Sequence, residues 1–173
     1  MPDALVVSNS GPLISLSSIR KLDLLRQLFG TIHIPEAVYR EVVFLGDNRP
    51  GQEEVRNAKW IRPQKITDDA MFRIMLEELD AGESESIVLA NEIKADYVIL
   101  DERLGRRKAQ RLDLSVVGTL GILLMAKRSG YIGNISTLLG ELEKTSFRIS
   151  KKVKLRILKE AGEKCFDDAM LIR

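Results

Sequence analysis

Short apolar runs alternate along the chain with longer stretches in which leucine, isoleucine and valine recur every three or four positions. ALVVS (4–8) is the first run, closed by Asn9-Ser10-Gly11-Pro12. A run closed by turn residues predicts a buried strand entering a helix. Helical periodicity follows over 12–18 and 21–29, the second stretch carrying Leu22, Leu25 and Leu28. Thr31–Ile34 is β-rich. Pro35 suits a first helical position, where its missing N–H is not needed, and predicts a helix to about Leu45. GDNRPG (46–51) is the clearest loop, followed by a short helix over 52–58 and an extended piece over 60–62. Helices are expected over 69–78, capped by Thr67 or Asp68, and over 82–94. DYVIL (96–100) and SVVG (115–118) read as further strands. A basic helix fits 102–111, another helix 119–128, and two helices joined near Phe147–Ser150 account for 134–161.

Strands separated by helices predict an α/β chain with a mostly parallel sheet covered on both faces. At 173 residues, one domain is expected, with 1–130 as its core and 131–173 as a C-terminal helical extension packed on the same domain. No apolar run approaches the roughly 18 residues of a membrane span. The opening MPDALVVSNSG lacks the basic start of a signal peptide. The single cysteine, Cys165, makes no internal disulfide, so a reducing cytoplasm is the expected location. The single histidine, His33, rules out a histidine-rich metal site and argues against a Ser-His-Asp triad. A net charge of +2 gives no argument for nucleic acid, and 5% aromatic residues argue against a base-stacking platform as the main binding device.

In an open parallel sheet, ligands bind where the carboxyl ends of strands meet the following loops. Asn9 and Ser10 stand at one such end and Asp101 at another. Helical spacing adds two acids. Glu41 lies beside the stripe of Val38, Val42 and Leu45, and Glu83 shares a face with Ile87. Gathered carboxylates need a positive partner. With no histidine or thiol pair nearby, a hard cation such as Mg²⁺ or Mn²⁺ is the economical one. Each residue also has a structural reading. Glu83 suits a helix N-terminus, Asp101 the cap of the helix after it, Glu41 a surface ion pair, and Asn9 a turn with unusual backbone angles. Their joint placement is what points to a site. Arg103 and Arg106, in a basic cluster after Asp101, suit phosphate oxygens. A second basic run, from Arg148 to Lys159, reads as a solvated or partner-facing helix.

Four segments, VVSNSGPLISLSSIRKLDLL, IPEAVYREV, LDAGESESIVLA and YVILDERLGRR, resemble in that order the PIN-domain family. The likeness looks closest to a prokaryotic subfamily related to VapC, the ribonuclease toxins of type II toxin–antitoxin pairs. It covers about residues 4–130 and continues more weakly through the last helices. The resemblance implies a three-layer α/β/α sandwich and four acidic positions that bind Mg²⁺ or Mn²⁺ and cut RNA. Those positions fall on Asn9, Glu41, Glu83 and Asp101, as both catalytic and metal-binding residues. Ser10 matches a small hydroxyl residue often found after the first acid. The family usually has Asp where this chain has Asn9, which removes one negative charge. The resemblance therefore implies either a weakened nuclease or a PIN-like module that binds RNA or protein without cutting. It also implies a homodimer and a small antitoxin partner, for which Leu13, Ile14, Leu16, Leu24 and Leu25 are candidate contacts or, equally, core. A receiver-like or nucleotide-binding domain also puts acids at strand ends, but no phosphate-cradling glycine motif is present.

Overall fold

Alternation within three-residue strands decides which layer each side chain joins. Val6 faces one hydrophobic cluster and Val7 the other, and Ile99 and Val98 divide in the same way. The computed structural model describes residues 4–45 and 47–163. Its elements run β1 (Val6–Ser8), α1 (Ser10–Ser18), α2 (Asp23–Phe29), β2 (Ile32–Pro35) and α3 (Glu36–Tyr39), which continues as a π-helical turn over Arg40–Phe44. Then come α4 (Gln52–Asn57), β3 (Ile61–Gln64), α5 (Asp69–Leu76), α6 (Ala81–Glu92), β4 (Tyr97–Ile99) and α7 (Arg103–Arg111). The chain closes with β5 (Val116–Val117), α8 (Thr119–Arg128), α9 (Ile135–Glu143) and α10 (Lys151–Glu160).

The five strands form one all-parallel sheet in the order β3-β2-β1-β4-β5. With helices on both faces, this is a three-layer α/β/α sandwich. Pro63 sits in β3, at the sheet's edge, where its missing N–H breaks no inner ladder. Strand order reverses between β1 and β4, which pair with Ser8 opposite Ile99. That reversal is the switch point at which such sheets open a crevice at their carboxyl ends.

One face carries α1, α2 and α8, with α9 and α10 added on α8. Ile135, Leu139, Leu142 and Ile157 belong to the same buried cluster as Leu13, Leu16 and Leu25. The other face carries α5, α6 and α7 around Val7, Ile87, Val98 and Leu100. Leu13, Leu16, Leu24 and Leu25 are buried in the core, and the half-buried Ile14 packs against it. Among the described residues, no helix is long and apolar enough to cross a membrane. Cys165 lies outside the described residues.

One helix departs from its expected form. The segment from Pro35 toward Leu45 does not stay α-helical but widens at Arg40 into the π turn. The carbonyl of Val43 at its end is taken by the side-chain amide of Gln52 at 2.9 Å, which ties the turn to α4.

Candidate functional site

Asn9 lies at the N-cap of α1, yet its side chain makes no capping hydrogen bond. Asn is among the best capping residues, and an unused cap forfeits about 1 kcal/mol. Its φ of −79° is ordinary for extended backbone, so unusual angles do not explain it. The Asn9 backbone N–H donates to the carbonyl of Ile99 at 3.0 Å, fixing the residue at the β1–β4 junction. Its Oδ1 is buried and has no hydrogen-bond partner. Ser10 follows, buried, as the first residue of α1.

Glu83 is placed by a capping box that opens α6. The Glu83 N–H donates to Asp80 Oδ1 at 2.8 Å, and the Asp80 N–H donates to Glu83 Oε2 at 3.4 Å. This accounts for one oxygen only. Glu83 Oε1 is buried without a partner, and the residue is 7% exposed. Burial pushes its pKa up, and the negative fields of Asp80, Glu102 and Glu41 push it further, against the Asp80 N–H that lowers it.

Glu41 reaches the same place from the opposite side. Glu85 on α6 accepts from the Ala37 N–H at 3.0 Å, which pins the start of α3 against α6. Gly82 then leaves a gap between the walls. A Cβ at Gly82 would stand 3.1 Å from Glu41 Oε2, 3.3 Å from Asn9 Oδ1 and 3.5 Å from Asp80 Oδ1. Glu41 is exposed, and among the described residues no Lys or Arg forms an ion pair with it.

Asp101, just beyond β4, does not cap α7. Glu102 holds that N-cap position, without a side-chain bond. Instead, Asp101 crosses to the start of α8. It accepts from the Thr119 N–H at Oδ1 (2.8 Å) and from the Thr119 hydroxyl at Oδ2 (2.6 Å). Arg106 stands beside it, its Nη1 donating to the Leu100 carbonyl at 2.9 Å. Gly118 makes room, since a Cβ there would fall 2.8 Å from Arg106 Nη1 and 2.9 Å from Asp101 Oδ1. Burial raises the Asp101 pKa. Thr119 and Arg106 pull it down only in part, so it stays above the usual carboxylate value.

Asn9, Glu41 and Asp80 thus gather around Gly82, while the neighbouring Glu83 turns its Oε1 toward Gly105 on α7, where a Cβ would stand 3.3 Å from it. Asp101 stands at the neighbouring strand end, and the acid whose field reaches Glu83 from that side is Glu102. The residues singled out from the sequence do not include Asp80, Gly82, Glu102, Gly118 or Thr119. Only Asp80 carries a local signal, an acid three residues before Glu83 at the head of a helix. Arg103 is exposed on the rim. Lys108, in the same helix, pairs with Glu78 and so belongs to the outer face.

The donors are all hard oxygens, and two of them, Asn9 Oδ1 and Glu83 Oε1, are buried and unsatisfied. Among the described residues, no three His, Cys, Asp or Glu side chains are close enough to hold an ion unaided. Oxygen donors of this kind match a small, hard divalent cation of the Mg²⁺ class, which keeps several waters. A donor set without His or Cys is a poorer match for zinc, whose sites are built mainly on those residues. The residues present therefore fit such a cation, with Asn9, Glu83 and Glu41 able to hold it.

Comparison with known families finds a match over residues 5–163 to the family model described as a PIN domain. No curated protein matches the chain.

Proposed function

The chain belongs to the PIN-domain family, since the match takes in nearly its whole length, and on that premise we propose that it is a metal-dependent endoribonuclease of the VapC-like kind. PIN domains are generally nucleases that work with divalent metal ions. The observation that carries the finer reading is the pair of buried, unpartnered oxygens, Asn9 Oδ1 and Glu83 Oε1, at the sheet's switch point. Leaving two such atoms unsatisfied costs several kcal/mol in sum at roughly 1–3 each. A ligand that fills the site removes that cost.

Hydrolysis of a phosphodiester needs a water oxygen to form a bond to phosphorus as the bond to the leaving oxygen breaks. Asn9, Glu41 and Glu83 would hold a Mg²⁺ or Mn²⁺ ion, and that ion would supply positive charge to the phosphate and a more acidic water. Glu83 Oε1, desolvated and free of hydrogen bonds, would be one of the oxygens that hold the cation. Thr119 fixes both oxygens of Asp101, so this carboxylate meets an incoming group in one orientation. Arg106, anchored by one nitrogen to the Leu100 carbonyl, keeps its other N–H groups for phosphate oxygens. Arg103 adds charge at the rim, and the family resemblance is what assigns the Ser10 hydroxyl to orienting the substrate.

The test is cleavage of labelled single-stranded RNA by the purified chain in Mn²⁺, with chelator and Asp101→Ala as controls. Cleavage lost in both controls supports the assignment, and equal cleavage by Asp101→Ala removes it. A second reading, a PIN-like module that binds without cutting, is favoured by the neutral amide of Asn9 and the missing three-acid cage. Restoring a carboxylate at position 9 separates the two. A small antitoxin and a homodimer belong to the VapC-like reading and stand or fall with it.

A further inference from the structure

The crevice at Asp101 continues past the site. It forms one groove of about 960 Å³ that runs between the first turns of α1 and α8 to the turn before α10 and that helix's exposed face. Arg103 and Arg106 line its near end, and Arg148 and Arg156 its far end. Between them the floor is apolar, with Leu120, Leu124 and Phe147.

The second basic run is therefore not one solvated face. Lys154 turns away to pair with Glu143 at 2.7 Å, whereas Arg148 and Arg156 turn onto the groove. Arg148 has no ion-pair partner among the described residues. Arg156 has only Glu160, one helical turn on, at 3.8 Å and well exposed, a pairing too weak to occupy its guanidinium. Lys151 and Lys152 add positive charge in the first turn of α10, which has no acid, although the helix dipole favours the opposite sign there.

We infer that this groove is the path of a single RNA strand, with Arg148 and Arg156 holding phosphates beyond the one being cut. The inference rests on the nuclease reading of the Asp101 end. The volume lies near the top of the roughly 300–1,000 Å³ range of small-molecule pockets, more than one nucleotide needs. Arginine forks at both ends match phosphate oxygens. The half-buried ring of Phe147 offers a base a surface to stack on. An acidic protein segment would also meet arginines, but the groove takes in Asp101 and Arg106, which the nuclease reading uses, and that favours the strand.

The experiment measures anisotropy of a fluorescein-labelled single-stranded RNA of roughly 12 nucleotides, bound to the full chain in chelator, where nothing is cut. Arg148→Gln/Arg156→Gln is compared with wild type and with Arg26→Gln/Arg128→Gln, a control pair exposed outside the groove. The groove double variant is expected to bind at least tenfold more weakly, with the slope of log affinity against log salt reduced by about 1.4, while the control pair binds as wild type. Equal affinity in the groove variant, or an equal loss in the control, overturns the path. RNA that wild type does not bind also overturns it and leaves the groove to a protein segment. The nuclease reading fails separately: RNA held through the arginines but never cleaved in Mn²⁺ removes that reading and leaves the path standing.

Discussion

Thr119 holds both oxygens of Asp101, its backbone N–H on one at 2.8 Å and its hydroxyl on the other at 2.6 Å. These residues come from different strand ends, and the contact is what aims the carboxylate at the crevice. Thr119→Val keeps the N–H bond, removes the hydroxyl bond and changes little volume. Its kcat on RNA is expected to fall about 10- to 100-fold, the usual effect of losing a residue that orients a site carboxylate, with KM nearly unchanged. Thr119→Ser is expected to recover most of the rate. A Thr119→Val enzyme with wild-type kcat would show that the contact serves the fold alone.

Gly82 separates stability from function. Within a helix, Ala is favoured over Gly by roughly 0.5–1 kcal/mol, so Gly82→Ala would by itself raise or preserve the melting temperature. Its Cβ, however, lands 3.1 Å from Glu41 Oε2 and 3.3 Å from Asn9 Oδ1. The walls must part by a few tenths of an ångström. Cleavage is expected to drop about tenfold while the thermal transition stays or rises. Loss of both together would mean that the helix cannot accept the methyl group.

Asn9→Asp tests what the amide withholds. A third negative oxygen at the Gly82 cradle is expected to raise Mn²⁺ affinity about tenfold and to speed cleavage. A variant that binds Mn²⁺ more tightly but never cuts RNA would support the non-cutting module instead.

The last helices are fastened by one carboxylate. Glu163 accepts from the N–H groups of Ile135 and Ser136 at 2.7 and 2.9 Å and pairs with Lys127 at 2.8 Å. Burial raises its pKa, but the Lys127 ammonium and the two N–H donors outweigh that and hold it below the ordinary carboxylate range. A depressed folded pKa stabilises fully above the unfolded value of about 4.3, and the contribution disappears as pH falls through the lower folded value. Glu163→Ala is expected to lose about 1–2 kcal/mol at pH 7. Urea midpoints taken down to acid should show the gap between variant and wild type closing. A gap constant with pH would assign the loss to packing.

Most of the layer structure was legible because buried strands and amphipathic helices leave periodic marks. ALVVS and DYVIL became the paired central strands β1 and β4, and the turn at Phe147–Ser150 separates α9 from α10. Contacts between distant segments left no such marks. Thr119 meets Asp101 across 18 residues, a separation no periodicity reports. A turn of 100° per residue puts Glu41 beside an apolar stripe, yet the helix widens into a π turn one residue earlier. Glu41 comes to Gly82 where α3 meets α6, and the Ala37–Glu85 hydrogen bond that joins those helices is a contact the pattern does not contain. The fate of Arg148 and Arg156 depended on where α10 docks, and that is decided by Ile157 and Leu158 entering the common core.

Anomalous scattering from a crystal of the chain grown with Mn²⁺ tests the central claim most directly. The account predicts a peak in contact with Asn9 Oδ1 and Glu83 Oε1, two buried oxygens without a hydrogen-bond partner. It is contradicted if Mn²⁺ sits only elsewhere on the surface while those atoms are satisfied by a lysine, an arginine or a proton shared between them.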